Sequence, residues 1–133
     1  MNKIKKILNA IAISSLLVIP SVINASAASR DTSGSASGIT FDGQGWTVVK
    51  TGTKYHCNGG NVSIDDMGSG KGDIKYGAYC CAAHQAPKNF YKTFKGTGSY
   101  TFDVDLEGIW AVDGKNTSVT KTRKNVSVSW ELD

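Results

Sequence analysis

The sequence predicts an all-β protein: a small antiparallel β-sandwich of about seven to eight short strands, preceded by a cleaved signal peptide. Three observations predict it. From Ile39 onward apolar residues recur with a period of two, the alternating runs are separated by glycine-rich turn signals, and the N-terminus has the layout of an export signal. The expected organisation is a signal peptide over 1–27, a flexible Ser/Gly-rich leader over 28–38 and one β-sandwich domain over 39–133.

The export signal is built from a basic start, "MNKIKK", an apolar run, "ILNAIAISSLLVIPSVI", and the small residues Ala25 to Ala27 that a signal peptidase accepts. Asn9, two serines and Pro20 interrupt the apolar run, which argues against a permanent membrane span. The expected location is therefore secreted, extracellular, with no transmembrane segment in the mature chain. Cleavage after Ala27 leaves 106 of the 133 residues, enough for one modest core. It also removes Lys3, Lys5 and Lys6, so 12 of the 15 basic side chains face 11 acidic ones. A balance so near zero is no evidence for nucleic-acid binding, which normally needs a concentrated basic face, and nucleic acid is not an expected partner.

"SRDTSGSASG", residues 29–38, is poor in apolar residues and reads as the leader. The strand candidates then follow in order: "GWTVVKT", "TKYHC", "NVSID", "DIKYGAYCCA", "YTFDVDLE", "GIWAV", "TSVTKTR" and "NVSVSWEL". In "YTFDVDLE" the alternation sends Tyr100, Phe102, Val104 and Leu106 to one face and Thr101, Asp103, Asp105 and Glu107 to the other. "DG", "NGG", "GSGKG", "KGTG" and "DGKN" supply turns. "HQAPKNFYKTFKG", residues 84–96, breaks the pattern. Phe90, Tyr91 and Phe94 at i, i+1 and i+4 predict a helical turn or ordered loop starting near Pro87.

Strand parity orders the three cysteines. Ile74, Tyr76, Ala78 and Cys80 share the apolar face while Cys81 lies on the other; Tyr55 and Cys57 face inward while Lys54 and His56 face outward. In an oxidising compartment this predicts a Cys57–Cys80 disulfide, worth about 3 kcal/mol by loop-closure entropy, and a free thiol at Cys81 able to dimerise the protein. A Cys57–Cys81 or Cys80–Cys81 bridge is the alternative pairing.

A metal site would need His56, His84 and the cysteines to converge, and "CCxxH" is not a common zinc spacing. No metal site and no cofactor are expected. The acids Asp65, Asp66, Asp103, Asp105 and Glu107 lack the order of a calcium loop and read as half of a cross-strand charge ladder with Lys121 and Arg123. No phosphate loop or nucleophile elbow is present and only two histidines are available, so the chain is not expected to be an enzyme.

"KNFYKTFK" interleaves Lys88, Lys92 and Lys95 with Phe90, Tyr91 and Phe94. Cations among aromatics suit an anionic, partly apolar partner, so these six residues form the expected envelope-binding patch. The plainer reading puts Phe90 and Phe94 in the core with the lysines in water.

"GQGWTV" (43–48), "YGAYCCAAH" (76–84) and "GIWAVDGKNTSVTKTRKNVSVSW" (108–130) together resemble the lactococcin type of exported bacteriocin. That resemblance implies a β-sandwich and an anionic cell-envelope target, the precursor lipid II. The expected function is an exported antibacterial, bacteriocin-like protein that binds an envelope component of Gram-positive cells. The alternative is a secreted binding or inhibitory module directed at another protein through an exposed sheet edge.

Overall fold

A computed structural model describes residues 32–133, so the expected signal peptide and the start of the leader lie outside the described residues. Seven strands follow in order: β1 (Thr32–Asp42), β2 (Thr47–Asp66), β3 (Ser69–Gly70), β4 (Ile74–Cys81), β5 (Lys88–Phe94), β6 (Gly98–Asn116) and β7 (Thr122–Leu132). Every pairing is antiparallel, and all belong to one sheet of order β1-β7-β2-β6-β4-β5, with β3 added to β7. The all-β reading holds. Where the sequence predicts a sandwich, hydrogen bonding joins the strands into one open sheet. Among the described residues no helix is long and apolar enough to cross a membrane.

The count of seven agrees with the expected seven to eight, but the lengths do not, because two long strands each absorb more than one predicted strand. β2 runs for 20 residues and β6 for 19, and both pass through stretches that read as turns. "NGG" at 58–60 lies inside β2 because its glycines shape a bulge. The β2–β6 register shifts between Cys57 and Gly59, where Gly59 takes φ 140°. "DGKN" at 113–116 lies inside β6. Asp113 and Asn116 are buried there, and a Cβ on Gly114 would stand 2.9 Å from a Phe41 ring carbon. Those glycines serve close approach rather than chain reversal.

Two further expectations give way to pairing. Residues 32–38 of the expected leader are the first part of β1, in register with β7 from Thr32↔Leu132 to Ala36↔Val128. Their small side chains leave room for neighbours: the Trp130 indole lies over Gly34, where a Cβ would be 2.6 Å from the ring. The expected helical turn in 84–96 is β5, paired with β4 from Ile74↔Phe94 to Cys80↔Lys88, since an edge strand satisfies backbone groups that one helical turn would leave open.

The sheet curls until its ends meet. β1 and β4 are four strand spacings apart, about 19 Å on a flat sheet. Yet the Phe41 and Tyr76 ring centroids are 6.3 Å apart, and the Tyr76 hydroxyl donates to the Ser129 carbonyl at 3.0 Å. The core fills the concave side with Phe41, Tyr55, Val62, Ile64, Ile74, Tyr76, Phe94, Trp110, Val112, Val126, Val128 and Leu132.

Candidate functional site

The 88–95 segment divides between the two faces of the sheet. Phe90 stacks on Phe102 (centroids 4.5 Å apart) and on Trp110 (5.7 Å), and Phe94 is buried against Tyr76. Phe94 is core and Phe90 packs half-buried against it, close to the plainer reading. Lys88 and Lys92 are exposed, with Lys92 Nζ over the Phe94 ring at 5.3 Å, and Lys95 makes a 3.0 Å ion pair with Asp73. Of the six residues, Tyr91 alone joins an exposed aromatic cluster on the convex face.

That cluster starts from register. Tyr91 on β5 and Asp113 on β6 both face Gly77 on β4, so the phenol crosses a position without a side chain and donates to Asp113 Oδ1 at 2.7 Å. Trp46, in the loop before β2, stacks on Tyr91 with centroids 4.8 Å apart and planes 27° apart. Lys115 Nζ lies over the indole at 5.2 Å, while Lys75 Nζ is 6.0 Å from it and 5.8 Å from the Tyr91 ring. Trp46 remains 42% exposed and neighbours Val48, 50% exposed.

The electrostatics are one-sided. Lys75 and Lys115 are direct cross-strand partners, a like-charge pairing that costs about 0.2–1 kcal/mol. Among the described residues neither takes part in an ion pair. Contact with the rings, about 0.5–1 kcal/mol for each cation, is of the same size as the repulsion, but it supplies neither lysine with a counter-charge. Burial pushes the Asp113 carboxyl above the usual carboxylate range, against the opposing effect of the Tyr91 hydrogen bond. Burial and the same bond drive the Tyr91 phenol far up, so it stays a proton donor. The cluster therefore offers a fixed aromatic surface with two cations beside it.

The cysteines obey the predicted parity but form no disulfide: Cys57 and Cys80 are buried, Cys81 is exposed, and all three are free. Register explains the correction. Cys57 faces Leu106 and Cys80 faces Trp110, with β6 between them. Strands two places apart are separated by about 9.5 Å, beyond the roughly 4.4–6.8 Å between Cα atoms that a disulfide spans. The Cys57 thiol instead donates to the Gly59 carbonyl at 3.1 Å. Burial raises the pKa of both inner thiols, which keeps them protonated and unreactive.

The predicted ladder with Lys121 and Arg123 does not form among the described residues; the acids of β6 pair with β2 instead. Asp105 and Glu107 on β6 meet His56 and Lys54 on β2, at 2.6 Å for His56 Nε2 to Asp105 Oδ1 and 3.5 Å for Lys54 Nζ to Glu107 Oε2. Arg123 donates to the Gly72 carbonyl, and Asp66 accepts from the Gly68 N–H in a turn. His84 lies in the β4–β5 loop with φ 61°. Among the described residues no group of three or more His, Cys, Asp or Glu side chains converges as metal ligands would.

Sequence reasoning missed Trp46, Lys75, Lys115 and Asp113. A signal was available in the outward parity of Lys75 and in a tryptophan directly after "GQG". Comparison with family models, characterised proteins and solved structures gives no match for the chain.

Proposed function

We propose that the protein is an exported antibacterial protein of bacteriocin type that acts by binding an anionic component of the cell envelope and performs no chemistry. The observation that supports this reading is the Trp46–Tyr91 stack with Lys75 and Lys115 beside it, two adjacent cations without an acidic partner among the described residues. A rigid ring pair loses little entropy on contact, and unpaired cations gain from an anion. The curled sheet serves as the two-layered, sandwich-like scaffold that holds the cluster outward. The contact site moves from the 88–95 segment to this cluster, with Tyr91 common to both.

The test is binding to, and growth inhibition of, Gram-positive cells. Trp46→Ala and the pair Lys75→Ala/Lys115→Ala should reduce both, whereas Lys88→Ala/Lys92→Ala should leave them near wild type. Wild-type protein that neither binds nor inhibits such cells sinks the reading. A second reading, a secreted module directed at another protein, draws support from β5, which pairs on one side only and leaves a backbone edge open for strand addition.

A further inference from the structure

The two long strands bend so that both ends of each lie at the same end of the molecule. Thr47 of β2 faces Gly114, while Asp66 at the other end of β2 faces Ser127; the bend lies near Cys57 to Gly59. Four connections are thereby gathered and tied. Gln44 Nε2 donates to the Val119 carbonyl at 2.8 Å, Asn116 Nδ2 to the Lys71 carbonyl at 2.8 Å, and the Thr117 N–H to the Asp73 carbonyl at 2.9 Å. Lys95 closes the group through its ion pair with Asp73.

At this end Val119 projects at 68% exposure, the most exposed large apolar residue described, and beside it on the convex face lies the half-exposed Trp46, stacked on Tyr91. Gln44 joins their loops. Around them stand Lys71 and Lys121, exposed, and Lys75 and Lys115 of the aromatic cluster; Asp42, Asp65, Asp66 and Asp73 share this end, where Lys95, Arg123 and Lys124 keep the basic side chains in excess. The far end is dominated by acids: Asp103, Asp105, Glu107, Glu131 and Asp133 are all exposed there, with Lys54 and His56 paired to Asp105 and Glu107. Such a separation of charge orients the molecule as it approaches an anionic surface.

We propose that the loop end docks on an anionic lipid bilayer, with Val119 and Trp46 entering the boundary between headgroups and acyl chains and Lys71, Lys75, Lys115 and Lys121 lying over the headgroups. The inference rests on the envelope-binding reading and names its partner as the lipid surface itself. A soluble anion would use the lysines but leave Val119 in water. An apolar tip, an indole and a ring of lysines at one end together match the chemistry of a bilayer interface.

The test uses the full chain with vesicles of phosphatidylcholine mixed with phosphatidylglycerol, against vesicles of phosphatidylcholine alone. Tryptophan emission should shift to the blue with the anionic vesicles, and Trp46→Phe should abolish the shift, since Trp110 is 1% exposed and Trp130 is half-buried. Val119→Asp, at an exposed turn, should weaken partitioning tenfold or more with an unchanged melting temperature. Lys75→Ala/Lys115→Ala should weaken it roughly twentyfold at low salt, with the difference shrinking as salt rises.

Absence of a Trp46-dependent shift, or partitioning of the Val119 and lysine variants equal to wild type, overturns the proposal. So does an equal shift with a soluble uronic-acid polymer and none with vesicles, which would assign the cluster to an acidic saccharide. Cell binding without vesicle binding removes the lipid inference alone. Vesicle binding without inhibition of any Gram-positive cell removes the antibacterial reading alone.

Discussion

Gly114 on β6 lets the Phe41 ring of the edge strand β1 pack close to the sheet, because a Cβ there would meet that ring at 2.9 Å and the Lys75 carbonyl at 3.0 Å. Gly114→Ala should therefore cost about 1–3 kcal/mol through overpacking, read as a lower melting temperature. Asp113 gives a pH signature. Its raised pKa means that the folded state holds a proton between about pH 3.9, the ordinary aspartate value, and its own titration. The stability this provides is complete below that window, falls as pH rises through it, and stays flat above. Melting of Asp113→Asn followed against pH should lack this fall. For the cysteines, iodoacetamide should label Cys81 alone in the native protein and all three after denaturation. A Cys57–Cys80 peptide in non-reducing maps would contradict the register.

At the scale of elements, β5 shows how one strand serves both faces. Its even positions send Phe90 and Phe94 toward the core, its odd position sends Tyr91 to the convex cluster, and its lysines guard an open edge against further pairing. Phe90→Ala removes a ring stacked on both Phe102 and Trp110 and should cost about 3–5 kcal/mol, measured by denaturant unfolding. Any loss of cell binding in that variant would follow from unfolding. Lys88→Ala/Lys92→Ala should change stability by less than about 0.5 kcal/mol, as exposed substitutions do.

For the whole molecule, curling is what creates the core, and Phe41 shows it. The ring comes from the edge strand β1 and is buried only because β4 is brought over it. Phe41→Ala should cost about 3–5 kcal/mol and loosen β1. Hydrogen exchange should then rise first in the β1–β7 pairing, whose outer strand has no second neighbour.

What could be read from the sequence alone was local: strands from period-two alternation, the inward parity of Cys57 and Cys80, and the outward parity of His56 and Cys81; the packing of Phe90 and Phe94 against the core was only the plainer alternative to the binding patch expected there. Each depends on side chains alternating along one strand, a rule that needs no knowledge of neighbours. Tertiary structure decided everything that depends on which strand lies beside which. It turned "NGG" and "DGKN" from turns into a bulge and a close contact, and residues 32–38 from leader into strand. It separated Cys57 from Cys80 by a whole strand, which no parity argument detects. It also brought together Trp46, Lys75, Tyr91, Asp113 and Lys115 from four separate segments. Their meeting follows from register across β4, β5 and β6, and register is set by bulges and curl that a single strand's pattern does not contain.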